Sequence, residues 1–227
     1  KIYSSCRDKD CIEDLRFYPT ATAQSVLSTA QGLRGGSAEL IYTFVDVEPV
    51  NFNRGYYTVD MHFFYRITLQ ALNGSTRYTE IEGLATFDKR VVLFGSESGA
   101  KIYSSIPEAN AIDAPLNLTA NLPTAVVEVV DPMILGSRVQ EVCACNCCTS
   151  DTPQIPQGIL DCFEEELVLG GECKRLLVTV GQFSIARLER STQLLIPSFD
   201  YCIPSKSCPN VSGAADENPC EVFSQID

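Results

Sequence analysis

The chain has 227 residues, a net charge of −12 and a pI near 4.5. Nucleic acid and anionic membrane surfaces are both bound through basic patches, so this balance argues against either as a partner. No run of about 18 apolar residues is present, which excludes a membrane-spanning helix. Tryptophan is missing and there is one histidine, His62.

A chain of this length fits one large β domain or two small ones and buries roughly 70% of its extended surface, so it does not need staples merely to fold. Eleven cysteines therefore point to durability or cross-linking in an oxidising compartment. Eleven is also odd. If every thiol is oxidised, at least one pairs outside its own chain.

In chain order, Cys6 and Cys11 flank Arg7-Asp8-Lys9-Asp10, ahead of any evident core strand. Residues 1–18 are expected as an N-terminal arm. Ala21 to Gln31 is the best short helix candidate, and Gly35-Gly36 ends that region. Ala38 to Val47 reads as a strand with Ala38, Leu40, Tyr42 and Phe44 on one face. Pro49 to Gly55 is a loop rich in turn residues.

Tyr57 to Leu72 carries the clearest pattern. Val59, Met61, Phe63, Tyr65, Ile67, Leu69 and Ala71 alternate with mostly polar residues, which predicts a long strand with one buried side. Asn73-Gly74-Ser75 predicts a hairpin turn. The return strand runs from Arg77 to Phe87, with Arg90 to Phe94 continuing it after a bend.

Gly95 to Leu122 reads as irregular chain with one short strand. Ala125 to Val130 and Met133 to Val142 are further strands, followed by Cys143-Ala-Cys145-Asn-Cys147-Cys148 and a linker from Thr149 to Pro153. Gly158 to Val168, Lys174 to Leu188 and Gln193 to Ile196 complete the strands, with a turn at Gly170-Gly171. Residues 204–227 form a polar, proline-punctuated tail that carries Cys208 and Cys220. Many strands and little helix predict an all-β, antiparallel, jelly-roll-like sandwich over residues 19–203, flanked by flexible cysteine-bearing ends.

Catalysis is poorly served. A nucleophilic triad needs a histidine beside the nucleophile, and His62 lies mid-strand opposite the apolar face. No phosphate-binding glycine loop is present. Thiolates at Cys143, Cys145, Cys147 and Cys148 suit zinc or copper(I), but C-x-C-x-C-C lacks the paired C-x2-C spacing of structural zinc sites. Disulfide use is expected instead, with no metal and no cofactor. Cys6, Cys11, Cys143, Cys145, Cys147, Cys148, Cys208 and Cys220 are the intersubunit cross-link candidates. Cys162, Cys173 and Cys202 are the intrachain candidates, with Cys162–Cys173 preferred across the Gly170-Gly171 turn.

Three stretches carry a resemblance: Cys6-Arg-Asp-Lys-Asp-Cys11-Ile-Glu-Asp-Leu15, Pro49-Val-Asn-Phe-Asn-Arg-Gly-Tyr-Tyr-Thr-Val-Asp60 and the Cys143 to Cys148 cluster. Together they resemble a group of cysteine-containing proteins of spore-forming clostridia, over most of the chain up to about Cys148. The resemblance implies a spore-surface or coat-associated structural protein, or a subunit of a spore appendage, and it assigns no catalytic residue.

The expected function is therefore structural and not enzymatic. The chain is expected to bind copies of itself head to tail, and other surface or coat proteins, as an extracellular, disulfide-linked filament or layer on a bacterial cell or spore. The alternative is a secreted or surface β-domain of adhesin type, binding carbohydrate or protein through exposed aromatics at Phe52, Tyr56 and Tyr57.

Overall fold

The computed structural model describes residues 1–73, 77–97, 102–103, 118–119, 121–141, 153–170, 174–193, 195 and 197. The chain divides into a compact unit, Lys1–Ser191, and a second, Thr192–Asp227. Of the second, only 192, 193, 195 and 197 are described.

The first unit is nearly all antiparallel β. Its elements are β1 (Ile2–Pro19), α1 (Ala21–Thr29), β2 (Gly32–Pro49), β3 (Tyr56–Asn73), β4 (Arg77–Phe94), the short pair β5 (Ile102–Tyr103) and β6 (Leu118–Thr119), β7 (Thr124–Glu141), α2 (Gln157–Leu160) and β8 (Lys174–Glu189). The main sheet has the order β2-β3-β4-β1-β8-β7. It folds over on itself as two three-stranded leaves, β2-β3-β4 and β1-β8-β7, around a shared apolar interior.

The leaves meet at two edges. At one, β1 pairs with β4 only through Phe17↔Ala85, Tyr18↔Leu84 and Pro19↔Gly83. At the other, β2 and β7 approach without a ladder; the Leu40 amide donates to the Asp131 carboxylate at 3.3 Å. The architecture is thus barrel-like with a seam.

The period-two pattern of β3 builds the core as expected. Its seven odd-numbered residues from Val59 to Ala71 are at most 1% exposed. Ile81 and Ala85 of β4 and Leu176, Val178, Val180, Ala186 and Leu188 of β8 close over them. The expected helix is α1, which sets Ala23 and Leu27 into the same core. Thr20 caps it, its hydroxyl accepting from the Ala23 amide at 3.3 Å. Glu165 accepts from both the amide and the hydroxyl of Thr22, at 2.9 and 2.8 Å, beside the positive end of the helix dipole.

Several expectations need correction. Residues 1–18 are not an arm: β1 is an interior strand, hydrogen-bonded to β8 from Ile2 to Phe17. Gly35-Gly36 does not end a region but lies inside β2, where a register shift falls between Arg34 and Gly36. A Cβ at Gly36 would sit 2.2 Å from the Thr68 carbonyl oxygen.

A second shift, between Leu40 and Tyr42, inserts one extra residue. Because such a bulge changes which way the following side chains point, Ala38 and Leu40 face the interior while Tyr42 and Phe44 stand outside. β4 runs unbroken from Arg77 to Phe94, and β7 joins two expected strands into one.

Gly158 to Val168 is not a strand. It forms α2 and a turn, and it meets the end of β1 where the Val168 amide donates to the Pro19 carbonyl at 2.7 Å, beside an isolated bridge between Thr20 and Leu167. Its buried residues Ile159, Phe163 and Leu167 recur every fourth position while Asp161 and Glu165 between them are exposed, where a pleated strand would turn all five to one face. They cover Tyr18, Phe64 and Leu84 on the outer face of the sheet. Arg66 pins this cover by donating to the Cys162 carbonyl at 2.7 Å and pairing with Glu39 and Glu82 at 2.9 and 2.8 Å. Gln193 and Leu195 lie in no strand.

Candidate functional site

β1 positions the two described cysteines of the N-terminal motif. Its even-numbered side chains from Ser4 to Ile12 face inward, as fixed by the pairings Cys6↔Ala186 and Asp10↔Gln182 with buried β8 residues. Cys6 is therefore half-buried against the core, while Cys11, opposite Gly181, is exposed on the outer face. Five residues of strand separate them by about 16 Å. A disulfide needs Cα atoms within about 7 Å, so these two thiols do not bond each other.

Cys162 is also exposed, on the turn after α2, with its thiol 3.2 Å from the Gly158 carbonyl oxygen. All three described cysteines are free thiols. Cys143, Cys145, Cys147, Cys148, Cys173, Cys202, Cys208 and Cys220 lie outside the described residues, and so does the expected Cys162–Cys173 pairing. Among the described residues no group of three or more His, Cys, Asp or Glu side chains is placed to hold a metal ion, and no helix is long and apolar enough to cross a membrane.

Beyond their three shared pairs, β1 and β4 splay apart, and charge fills the gap. Lys89 of β4 reaches across to Asp8 at 2.8 Å and Asp10 at 2.5 Å on β1. The Lys89 side chain is 11% exposed and that of Asp10 is 19% exposed. Deeper in, the Tyr65 hydroxyl donates to Gln182 Oε1 at 2.5 Å. Burial, and then the charge of Asp10, pushes the Tyr65 pKa up, so the phenol keeps its proton.

The ion pair was not legible in the sequence, because its halves lie 79 residues apart. Inward-facing Asp8 and Asp10 also erased the apolar alternation that would have marked β1 as a strand.

Ionisation ties this gap to stability. The hydrogen bond from Lys89, then its charge, holds Asp8 below the usual aspartate range. Hydrogen bonds from Arg138 and Arg90 do the same for Asp14 and Asp60. Burial pulls Lys89 down, but bonds and charge from Asp10 and Asp8 outweigh it and the net shift is upward.

A carboxylate depressed in the fold contributes stability above its unfolded pKa and loses it as pH falls through the lower folded value. A lysine raised in the fold contributes below its unfolded pKa and loses it as pH rises through the higher folded value. The urea midpoint is therefore expected to be flat from about pH 5 to 10 and to fall below about pH 4 and above about pH 10.5. A midpoint that climbs on acidification to pH 3 would contradict these pairings.

On the outer face His62 meets Asp88, Nδ1 to Oδ1 at 2.7 Å, and both are open to solvent. The groove around them is lined by Asp60, Met61, His62, Asp88, Lys89 and Arg90, which supply no hydroxyl or thiol nucleophile. At the β2–β3 turn, Phe52 is fully exposed. Tyr56 packs edge-on against Phe94, with ring centroids 5.3 Å apart. Tyr57 is buried, its hydroxyl accepting from Arg190 at 2.9 Å.

Comparisons with protein families, with curated proteins and with solved structures return no match.

Proposed function

We propose that this chain is a structural subunit that self-assembles, copy to copy and head to tail, into a disulfide-linked filament or layer on the outside of a bacterial cell or spore. The observation that carries this reading is Cys11. It presents a free thiol outward from a strand paired along its length with β8, where it cannot reach Cys6, in a chain whose eleven cysteines cannot all pair internally. The resemblance to clostridial spore-surface proteins points the same way.

Each bridge joins two thiols as one S–S bond and releases two protons and two electrons, taken up by dioxygen or a small-molecule disulfide outside the cell. The cysteines of the 143–148 cluster and of the tail are the natural recipients. In this reading no substrate is turned over. The unit contributes rigidity, and other coat or surface proteins are secondary partners.

Electrophoresis with and without reductant, beside negative-stain electron microscopy, tests the reading. The expected result is a ladder that collapses to a 24.9 kDa band on reduction, with fibres or sheets in the images. Cys11→Ser is expected to shorten the ladder. A sharp monomer band in both lanes, without assemblies, overturns the proposal. The second reading, an adhesin-like domain, rests on the bare Phe52 side chain at a loop tip. It would gain if Phe52→Ala abolished glycan-array binding by a monomeric protein.

A further inference from the structure

The outer faces of the two leaves differ in character. On β1-β8-β7, Val130 and Phe183 are paired across the ladder and exposed, and Met133 and Leu135 are exposed beside them. A Cβ built on Gly181 would contact the Leu135 and Met133 side chains, which places both on this outer face next to Cys11. Along β1 the same face continues with Lys9 and Arg7, opposite Phe183 and Ile185. Both are exposed, and neither side chain forms an ion pair among the described residues. Two cations without an ion pair thus stand beside an apolar patch on a chain of net charge −12, while Arg187 on the same face is paired with Glu128.

The outer face of β2-β3-β4 is its converse. After the bulge, Tyr42, Phe44, Asp46 and Glu48 project outward in succession from edge strand β2, beside Phe64, His62, Asp60 and Thr58 of β3. Tyr42 packs on Phe44, and Phe44 on Phe64, with centroids 4.7 and 5.7 Å apart, so the aromatic row is ordered. Asp46 and Glu48 are exposed, and among the described residues neither forms a salt bridge. Exposed contiguous apolar surface of this kind marks an interaction site. Charge complementarity would then set register and partner.

We propose that copies of this chain dock leaf on leaf, the Arg7–Lys9 face of one molecule against the Tyr42–Glu48 face of the next. The apolar residues pack centrally, and the two cations meet the two carboxylates at the rim. The faces lie on different leaves, so the contact is heterologous and each molecule keeps one of each free. It therefore repeats as an open chain unless a rotation closes it. This inference rests on the self-assembly reading and names its non-covalent surface.

Sedimentation velocity in reductant at low salt, where screening is weak, tests the docking apart from the disulfides. Wild type is expected to sediment as a concentration-dependent series. Arg7→Glu with Lys9→Glu, and separately Asp46→Lys with Glu48→Lys, are each expected to give monomer with an unchanged circular dichroism spectrum. Mixing the two double variants brings together the two intact faces and also the two charge-reversed faces, so an alternating series is expected to return. Combining all four substitutions reverses both faces and should restore the series.

Wild type that stays monomeric at every concentration overturns the inference. So does either double variant that assembles like wild type, or a mixture that stays monomeric. A reducible ladder alongside monomer in reductant would leave the covalent reading standing and sink this one. Association in reductant without a ladder would do the reverse.

Discussion

Lys89→Met is expected to destabilise the fold by about 3 kcal/mol and to lower the midpoint of thermal unfolding by about 6–10 °C. Lys89 and Asp10 are largely shielded from water where β1 and β4 splay apart. Breaking a buried pair from one side strands the opposite charge and costs about 3–5 kcal/mol. The lower end applies here because the Asp8 side chain is 54% exposed and can rehydrate.

Adding Asp8→Asn and Asp10→Asn to Lys89→Met removes the stranded charges and should recover most of the loss. The deficit should also shrink as the pH approaches about 4, where the carboxylates of the variant take up protons. Calorimetry at pH 7 decides the matter. A midpoint within about 2 °C of wild type would mean that the pair does not hold the gap.

Gly83→Ala is expected to cost about 3 kcal/mol or more, with a fall in the thermal midpoint of about 6–12 °C. The added Cβ would lie 2.4 Å from the Tyr18 carbonyl oxygen and 2.6 Å from Cζ of Phe17. The first of these is backbone and cannot rotate away. Gly83 also pairs with Pro19, one of only three pairs joining β4 to β1. Relief of the clash therefore loosens the hydrogen-bonded junction between the two leaves. A core alanine that merely overpacks typically costs about 1–3 kcal/mol. A loss below about 1 kcal/mol would show that β1 does not pass this close to β4.

Both effects concern β1, and a rigid β1 bears on function. Joined to β4 at Phe17 to Pro19 and laddered to β8 along its length, the strand fixes the directions of Cys6 and Cys11 relative to the core. A thiol on a loose arm could serve many partners. Cys11 instead sits at a set place among Lys9, Phe183 and Met133, which makes its partner a question of surface matching.

What could be read in advance follows from how local each signal is. The run from Val59 to Ala71 alternates without interruption, since every second residue meets the same apolar interior. The helix at Ala21 to Thr29 carries its own cap, Thr20. The cysteine count and the acidic balance need no fold at all. β1 was illegible because its inner face carries Asp8 and Asp10, whose partner comes from β4. Ile159, Phe163 and Leu167 were misplaced in a strand because residues four apart share a face in a strand as well as in a helix.

The sequence by itself determined the class of this protein: long antiparallel strands, one helix, an acidic surface and an odd set of thiols. These rest on periodicity, composition and counting, which act within a few residues or over the whole chain. The tertiary structure alone decided that β1 is an interior strand and that Cys6 and Cys11 point opposite ways. It also decided that the bulge at Ile41 turns Tyr42 and Phe44 outward, and that Arg7 and Lys9 stand on one leaf while Asp46 and Glu48 stand on the other. Strand pairing and register are settled between segments far apart in the chain, and a shift of one residue exchanges inside for outside.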